Sequence, residues 1–287
     1  MNYSEWQQIA DEAQLGSVEA TIAVTGGDSH QSWRLITSHG SYFAKTALKR
    51  QKPLLVADAE GLKAIAATHT IDCPNPIAIG ETSKTSWLIL PWFELSQQGS
   101  AQQLGEQLAN MHRHTQPHFG WLTTNFIGQS PQYNHTIDDW AAFYRSQRLL
   151  PQWRWAKERG LAHDLLDQLV QIMDRLDSFF IDYQPVASLL HGDLWSGNVA
   201  YQSSGKPIIF DPACYYGDRE TDIAMTELFG GFALDFYAAY RATWPLDVGY
   251  DQRKPIYQLY HLLNHFNLFG GSYAASIRQT LAKIGNL

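Results

Sequence analysis

Leu189-Leu190-His191-Gly192-Asp193-Leu194-Trp195-Ser196-Gly197-Asn198, followed by Pro207-Ile208-Ile209-Phe210-Asp211-Pro212, is the stretch on which the fold of this chain turns. An apolar lead-in delivers a histidine and then an aspartate. An asparagine stands five residues past that aspartate, and a second apolar run ends in another aspartate. This is the layout of a kinase catalytic loop followed by its metal-binding aspartate. In that layout Asp193 takes the proton of a substrate hydroxyl, while Asn198 and Asp211 are ligands of magnesium ions that bridge the phosphates of ATP.

Upstream, the chain reads as strands from about Glu19 to Thr46. Glu19 to Thr25 is β-rich and ends at Gly26-Gly27-Asp28, and Trp33 to Thr37 and Tyr42 to Lys45 flank a His39-Gly40 turn. Leu54 to Ala67 places Leu55, Leu62 and Ile65 on one helical face. Trp87 to Leu90 reads as a buried strand ending at Pro91. Downstream, Leu161, Leu165, Leu169, Met173, Leu176 and Phe180 form a helical stripe. Ile137 to Leu149, Arg219 to Phe229 and the stretches from Arg253 and Tyr273 also read as helices. Only Val199 to Tyr201 and Ile208 to Phe210 look like strands in this half. The expected fold class is α+β: a β-rich N-lobe with one helix over residues 1–93, and a mostly helical C-lobe over 94–287. The nucleotide belongs to the first, and the catalytic loop, metal and substrate to the second.

The other parts of a phosphotransfer site follow in order. Gly26, Gly27 and Asp28 lie between two strands, where backbone N–H groups approach phosphates without Cβ interference; a glycine pair there also serves as a plain hairpin turn. Lys45 stands on a strand where a kinase keeps its phosphate-binding lysine. Its acidic partner is sought on the next helix, where Asp58 shares the apolar face and Glu60 is turned about 200° away. An acid on the buried face wants a cation, so Asp58 is the expected partner and Glu60 a solvated charge. His191 reads as a structural hydrogen-bonding residue, and His112, His114 and His118 as a polar helix end.

Bulk properties narrow the class. Of 287 residues, 21 are basic and 28 acidic, a balance of −7 that speaks against nucleic acid or an anionic membrane as general partner. Two cysteines, Cys73 and Cys214, suggest neither a metal motif nor a disulfide scaffold. No apolar run reaches membrane-span length. Met1 to Gln8 lacks the basic and apolar regions of a signal peptide, so the expected location is cytoplasmic.

The ordered set resembles the fructosamine kinase (ketosamine-3-kinase) family, a branch of the aminoglycoside-phosphotransferase-like kinases. Similar words span nearly the whole chain, among them Gly40-Ser41-Tyr42-Phe43-Ala44-Lys45, Asn125-Phe126-Ile127-Gly128, Gln132-Tyr133-Asn134, the His191 to Asn198 loop, and Asp211-Pro212-Ala213-Cys214-Tyr215-Tyr216-Gly217-Asp218-Arg219-Glu220. Asp-Pro-Ala in place of Asp-Phe-Gly argues against a protein kinase. The resemblance implies a two-lobe protein-kinase-like fold with ATP and Mg2+ as cofactors. It also implies phosphorylation of the sugar 3-hydroxyl of ketosamines, either small ribulosamine or fructosamine adducts or glycated protein lysines, which then break down and release the amine. By position it makes Asp193 the base, Asn198 and Asp211 metal ligands and Lys45 the phosphate lysine. Gly26, Gly27 and Asp28 become the nucleotide loop, and Leu90, Pro91, Trp92 and Phe93 the hinge that meets adenine. Trp195 is a candidate wall for the sugar, with a packing role as the alternative.

Three departures stand out. Asp58 replaces the family's usual Glu. Pro91 replaces a common hinge Glu and removes a backbone donor, leaving Leu90 and Phe93 for adenine. The nucleotide loop has no cysteine. Two rival readings are a kinase of this fold for another small alcohol, of choline or aminoglycoside type, and a catalytically inactive nucleotide-binding module. Intact Lys45, Asp193, Asn198 and Asp211 argue against the last.

Overall fold

The alternating residues from Val18 onward pair as one antiparallel sheet. In a computed structural model, which describes residues 1–24 and 30–285, its strands are β1 (Val18–Val24), β2 (Gln31–Thr37), β3 (Gly40–Leu48), β4 (Ala78–Glu81) and β5 (Thr85–Pro91), in the order β1-β2-β3-β5-β4. Gly26, Gly27 and Asp28 lie outside the described residues. One face of the sheet, with Leu35, Ala44, Trp87 and Ile89, packs on helix α1 (Tyr3–Glu12) through Trp6, Ile9 and Ala10. The other face, with Leu88 and Leu90, packs on helix α2 (Lys52–Ala67) through Leu55, Ala59 and Leu62.

Helix α1 corrects the expectation of a single helix in this part of the chain. Its signals are short-range: the Asn2 side chain accepts the Glu5 N–H at 2.9 Å, and the Glu5 carboxylate accepts the Asn2 N–H at 3.0 Å, a capping box. Trp6, Ile9 and Ala10 then follow at i, i+3 and i+4.

Packing divides the chain into two units, Met1–Ser100 with Val199–Ala213, and Ala101–Asn198 with Cys214–Leu287. This differs from a single cut after residue 93. The hairpin of Val199–Gln202 and Pro207–Ile209 belongs with the first unit because Tyr201 and Gln202 pair with Ser96 and Leu95, and Ile208 bridges Asp72. The second unit is mainly helical, with its longest helix at Tyr250–Phe269. It also contains short strands that no sequence period reveals: Thr115–Gln116, Asn125–Ile127, Ser130–Gln132, Ala187–Leu190 and Tyr215–Gly217. At two to four residues each, they are too short for alternation to register. The helix expected from Ile137 begins at Trp140 and becomes a π-helix over Tyr144–Leu149. Among the described residues, no helix is long and apolar enough to cross a membrane, and both cysteines are free thiols.

Two stability predictions follow from this packing. Trp6 is 2% exposed and meets Trp33 edge-on at 5.5 Å. Trp6→Ala should cost about 3–5 kcal/mol in urea unfolding, and a loss below about 1 kcal/mol would remove α1 from the core. His261 is fully buried with neither ring nitrogen hydrogen-bonded among the described residues. Burial, and then the neighbouring His265, pushes its pKa down from 6.5 to about 3. The unfolded chain therefore takes up a proton below pH 6.5 that the folded chain refuses. Stability is full above neutrality and falls as pH drops, by about 2 kcal/mol at pH 5 for this residue. His261→Gln should flatten that slope; an unchanged slope would show that the imidazole is not held neutral.

Candidate active site

In the first unit the site is built around one ammonium. Lys45 points from β3 on the face opposite α1, and its Nζ pairs with the carboxylates of both Asp58 on α2 and Asp211. The lysine side chain is only 2% exposed. Burial opposes its charge, but Asp211 and then Asp58 outweigh that and hold it above the ordinary lysine pKa. Two carboxylates share this one cation. Burial, against the pull of Lys45, pushes Asp58 up to about 6, with the Asp211 charge adding to the rise. Asp58 Oδ1 is buried with no hydrogen-bond partner among the described residues. Glu60 is exposed. Asp211, two residues past the end of the Pro207–Ile209 strand, adopts φ +57°, a left-handed conformation that Asp tolerates better than most residues.

The end of β5 supplies a backbone edge. The Ile77 N–H donates to the Ile89 carbonyl at 2.9 Å, so Ile89 faces the β4 side. Strand alternation then turns the Leu90 backbone toward β3, where Leu90 pairs with Phe43, and the Pro91 carbonyl toward the edge that β4 leaves uncovered. Leu90 thus contributes a buried side chain rather than a backbone group to that edge. Proline at 91 sacrifices little, since a carbonyl is what the position presents. Trp92 and Phe93 are half-buried beyond it.

In the second unit, the buried strand Ala187–Leu190 feeds the loop at His191. Gly192 takes φ +82°, and Leu194 is fully buried, which anchors the loop between its polar members. The Asn198 side-chain amide donates to the Asp193 carbonyl at 2.8 Å and lies 3.5 Å from Asp193 Oδ2. Its amide oxygen is thereby turned the other way, the atom a hard cation takes. His191 is buried, and its Nδ1 accepts the Asp193 N–H at 3.3 Å. Trp195 is 40% exposed, and its ring lies so close over Gly197 that a Cβ there would come within 2.3 Å of it. The absence of a side chain at 197 is what makes room for the ring in this position.

Sequence reasoning missed what holds this loop. Asp222, fully buried, accepts the N–H groups of His191 at 2.7 Å and Gly192 at 2.9 Å. It also meets His112 Nε2 at 3.1 Å, while His112 Nδ1 lies 2.8 Å from the Tyr240 hydroxyl. Arg219 extends the chain to Tyr240 and Trp244. Burial disfavours the Asp222 carboxylate, but the contacts with His112 and the loop N–H of Gly192 win and hold its pKa below the usual range. His112 is therefore a buried connector, not part of a polar helix end. A second buried network joins the Asn125–Asn134 words. Asn125 donates to the Cys214 carbonyl at 2.6 Å, Gln132 and Asn134 donate to Asn125 Oδ1, and Arg148 donates to Asn134 Oδ1 while its guanidinium lies 3.8 Å over the Tyr215 ring.

A family model described as fructosamine kinase matches residues 1–286. The chain is 42% identical over 284 residues to a Synechocystis protein named "Probable ketoamine kinase", covering 96% of this chain and 95% of that one. It is 36% identical to the chloroplastic protein-ribulosamine 3-kinase of Arabidopsis thaliana, over 95% of this chain and 84% of the relative. A crystal structure assigned by name to a fructosamine-3-kinase of Haemophilus somnus superposes with a TM-score of 0.88 at 30% identity, over 97% and 96% of the two chains.

The two candidate partners of Lys45 separate in a simple experiment. Asp58→Ala leaves the buried Lys45 ammonium with Asp211 alone and should destabilise by about 1–3 kcal/mol, whereas Glu60→Ala should stay within about 0.5 kcal/mol. Equal losses in urea unfolding would remove Asp58 as the partner.

Proposed function

Because the chain belongs to the fructosamine kinase family, we propose that it uses ATP to phosphorylate the sugar 3-hydroxyl of ketosamines, whose phosphorylated adducts then break down and free the amine. The observation that carries the reading is the pairing of one buried lysine with both a helix carboxylate and the strand-terminal Asp211, in a chain that also holds Asp193 and Asn198 in a braced loop. Small ketosamines and glycated protein lysines are both within the proposed substrate class.

Each residue has a chemical task. Lys45 supplies positive charge to the phosphates, and Asp58 keeps its ammonium oriented. The Gly26-Gly27-Asp28 segment is proposed to offer backbone N–H groups to them. On the open edge beyond β5, the Pro91 carbonyl and Phe93 N–H suit the adenine edge, and the Phe43 ring, on the Lys45 face of β3, offers a stacking surface. Asp193 orients the sugar hydroxyl and accepts its proton as the oxygen attacks the γ-phosphorus and ADP leaves. An ordinary carboxylate basicity suffices for this. Trp195, its ring lying over Gly197, gives an apolar wall for the sugar.

Asn198 and Asp211 are hard oxygen donors of the kind magnesium takes, and they would hold it. Bound there, it would neutralise phosphate charge.

Asp193→Asn keeps the shape of the loop and loses the proton acceptor. It should retain ATP binding by titration calorimetry while kcat falls by about two orders of magnitude or more; wild-type turnover would exclude Asp193 as the base. For the substrate, ADP release should be stimulated by ribulosyl-lysine or fructosyl-lysine. Stimulation by choline or an aminoglycoside and by neither adduct would replace the ketosamine reading.

A further inference from the structure

We propose that Arg34 is a positioning residue for the nucleotide: it acts through Trp92 to fix the backbone at 91–93 that meets adenine. The inference rests on the ATP-dependent reading above and adds to it a residue that makes no contact with the reacting groups.

Register places Arg34 in a cross-strand row with Ile22, Phe43 and Leu90, on the Lys45 face of the sheet. Lys45 itself pairs across with Ser32 and Leu88. Arg34 therefore stands one row nearer the Pro91 end of the sheet than the row that carries the ammonium. Its guanidinium lies 4.6 Å over the Trp92 ring, and that ring stacks with Phe43 at 6.3 Å and 27°. The indole N–H donates to Glu94 at 2.8 Å, and Arg34 Nη2 reaches the same carboxylate at 3.5 Å. Arg34 is steadied by donating from Nε and Nη2 to Ser41 Oγ, both at 3.3 Å. The indole is thus bounded by a cation, by an aromatic ring and at its N–H.

The clamp answers a local need. Beyond Ile89, β4 gives no further ladder partners on that edge, and Pro91 has no N–H to contribute. The stretch that would present a carbonyl and an N–H to adenine is held by side chains instead. The Arg34–Glu94 pair alone is weak, because Glu94 is 74% exposed. The guanidinium stacked on Trp92 is the stronger part.

The test uses the full-length enzyme with ATP and GTP as alternative donors. Arg34→Ala should raise KM for ATP about five-fold, with kcat at saturating ATP and KM for the ketosamine nearly unchanged. ATP preference over GTP should shrink by a similar factor, because a displaced edge reads adenine less well. Arg34→Lys keeps the charge without the planar stack and should recover less than half of the loss. In a Trp92→Ala background, Arg34→Ala should add little, since both act in one unit. Independent, additive effects of the two substitutions would overturn the proposal, as would equal weakening of ATP and GTP with a fall in kcat, the mark of direct phosphate contact. Lys45→Met serves as control: if it leaves ATP use intact, the kinase reading itself fails, whereas loss there with an unaffected Arg34→Ala overturns only the role of Arg34.

Discussion

A buried ammonium shared by two carboxylates is the constraint on which the first unit depends. Lys45 ties β3 to α2 through Asp58 and to the chain following the Pro207–Ile209 strand through Asp211. Desolvating these ions costs several kcal/mol each, so the cluster is weak evidence for net stability. Its value is in specification. The contacts form only when β3 pairs Lys45 with Leu88 and when α2 is rotated so that Asp58 faces the sheet alongside Leu55 and Leu62. A one-residue slip of β3 would turn the ammonium to the α1 face, where Trp6 and Ile9 offer it no partner.

The second unit meets its positioning problem with backbone groups. Asp193 and Asn198 sit on a loop that side-chain packing alone would leave adjustable, and Asp222 removes that freedom by accepting two consecutive N–H groups from His191 and Gly192. Such bonds to a carboxylate are stronger than neutral ones. His112 and Tyr240 then keep Asp222 from rotating. Trp195 is accommodated by a glycine at 197 that leaves room for its ring. The first unit thus relies on charge in a dry setting, and the second on donors aimed at one acid.

Sequence legibility followed the range of the interactions. The hairpin of β2 and β3 was readable from its turn, helix α2 from its helical period, and the strand at Trp87–Leu90 from a continuous apolar run stopped by Pro91. Asp58 was separable from Glu60 because helical phase alone turns one inward. Helix α1 escaped because its ten residues are largely polar outside Trp6, Ile9 and Ala10. His112 was misjudged because what buries it is remote: Asp222 is 110 residues away and Tyr240 is 128. The same holds for Arg148, whose guanidinium is buried against rings and carbonyls and, among the described residues, is not paired with an acid. No local pattern distinguishes that arginine from a solvated one.

The departures at 58 and 91 have separate physical answers. An aspartate reaches less far than a glutamate by one methylene, so α2 must approach the sheet more closely for Asp58 to meet Lys45. Ala57, Ala59 and Gly61 surround Asp58, and Ala59 packs in the cluster with Leu88 and Leu90. Small residues at a packing interface shorten the distance between elements. The shorter acid and the small flanking residues therefore form one compensated solution. At 91 the compensation is directional, because the alternation that sends the Leu90 backbone into the ladder leaves only a carbonyl needed on the open edge. A proline satisfies that position, whereas at 90 it would remove a donor directed into the ladder with β3.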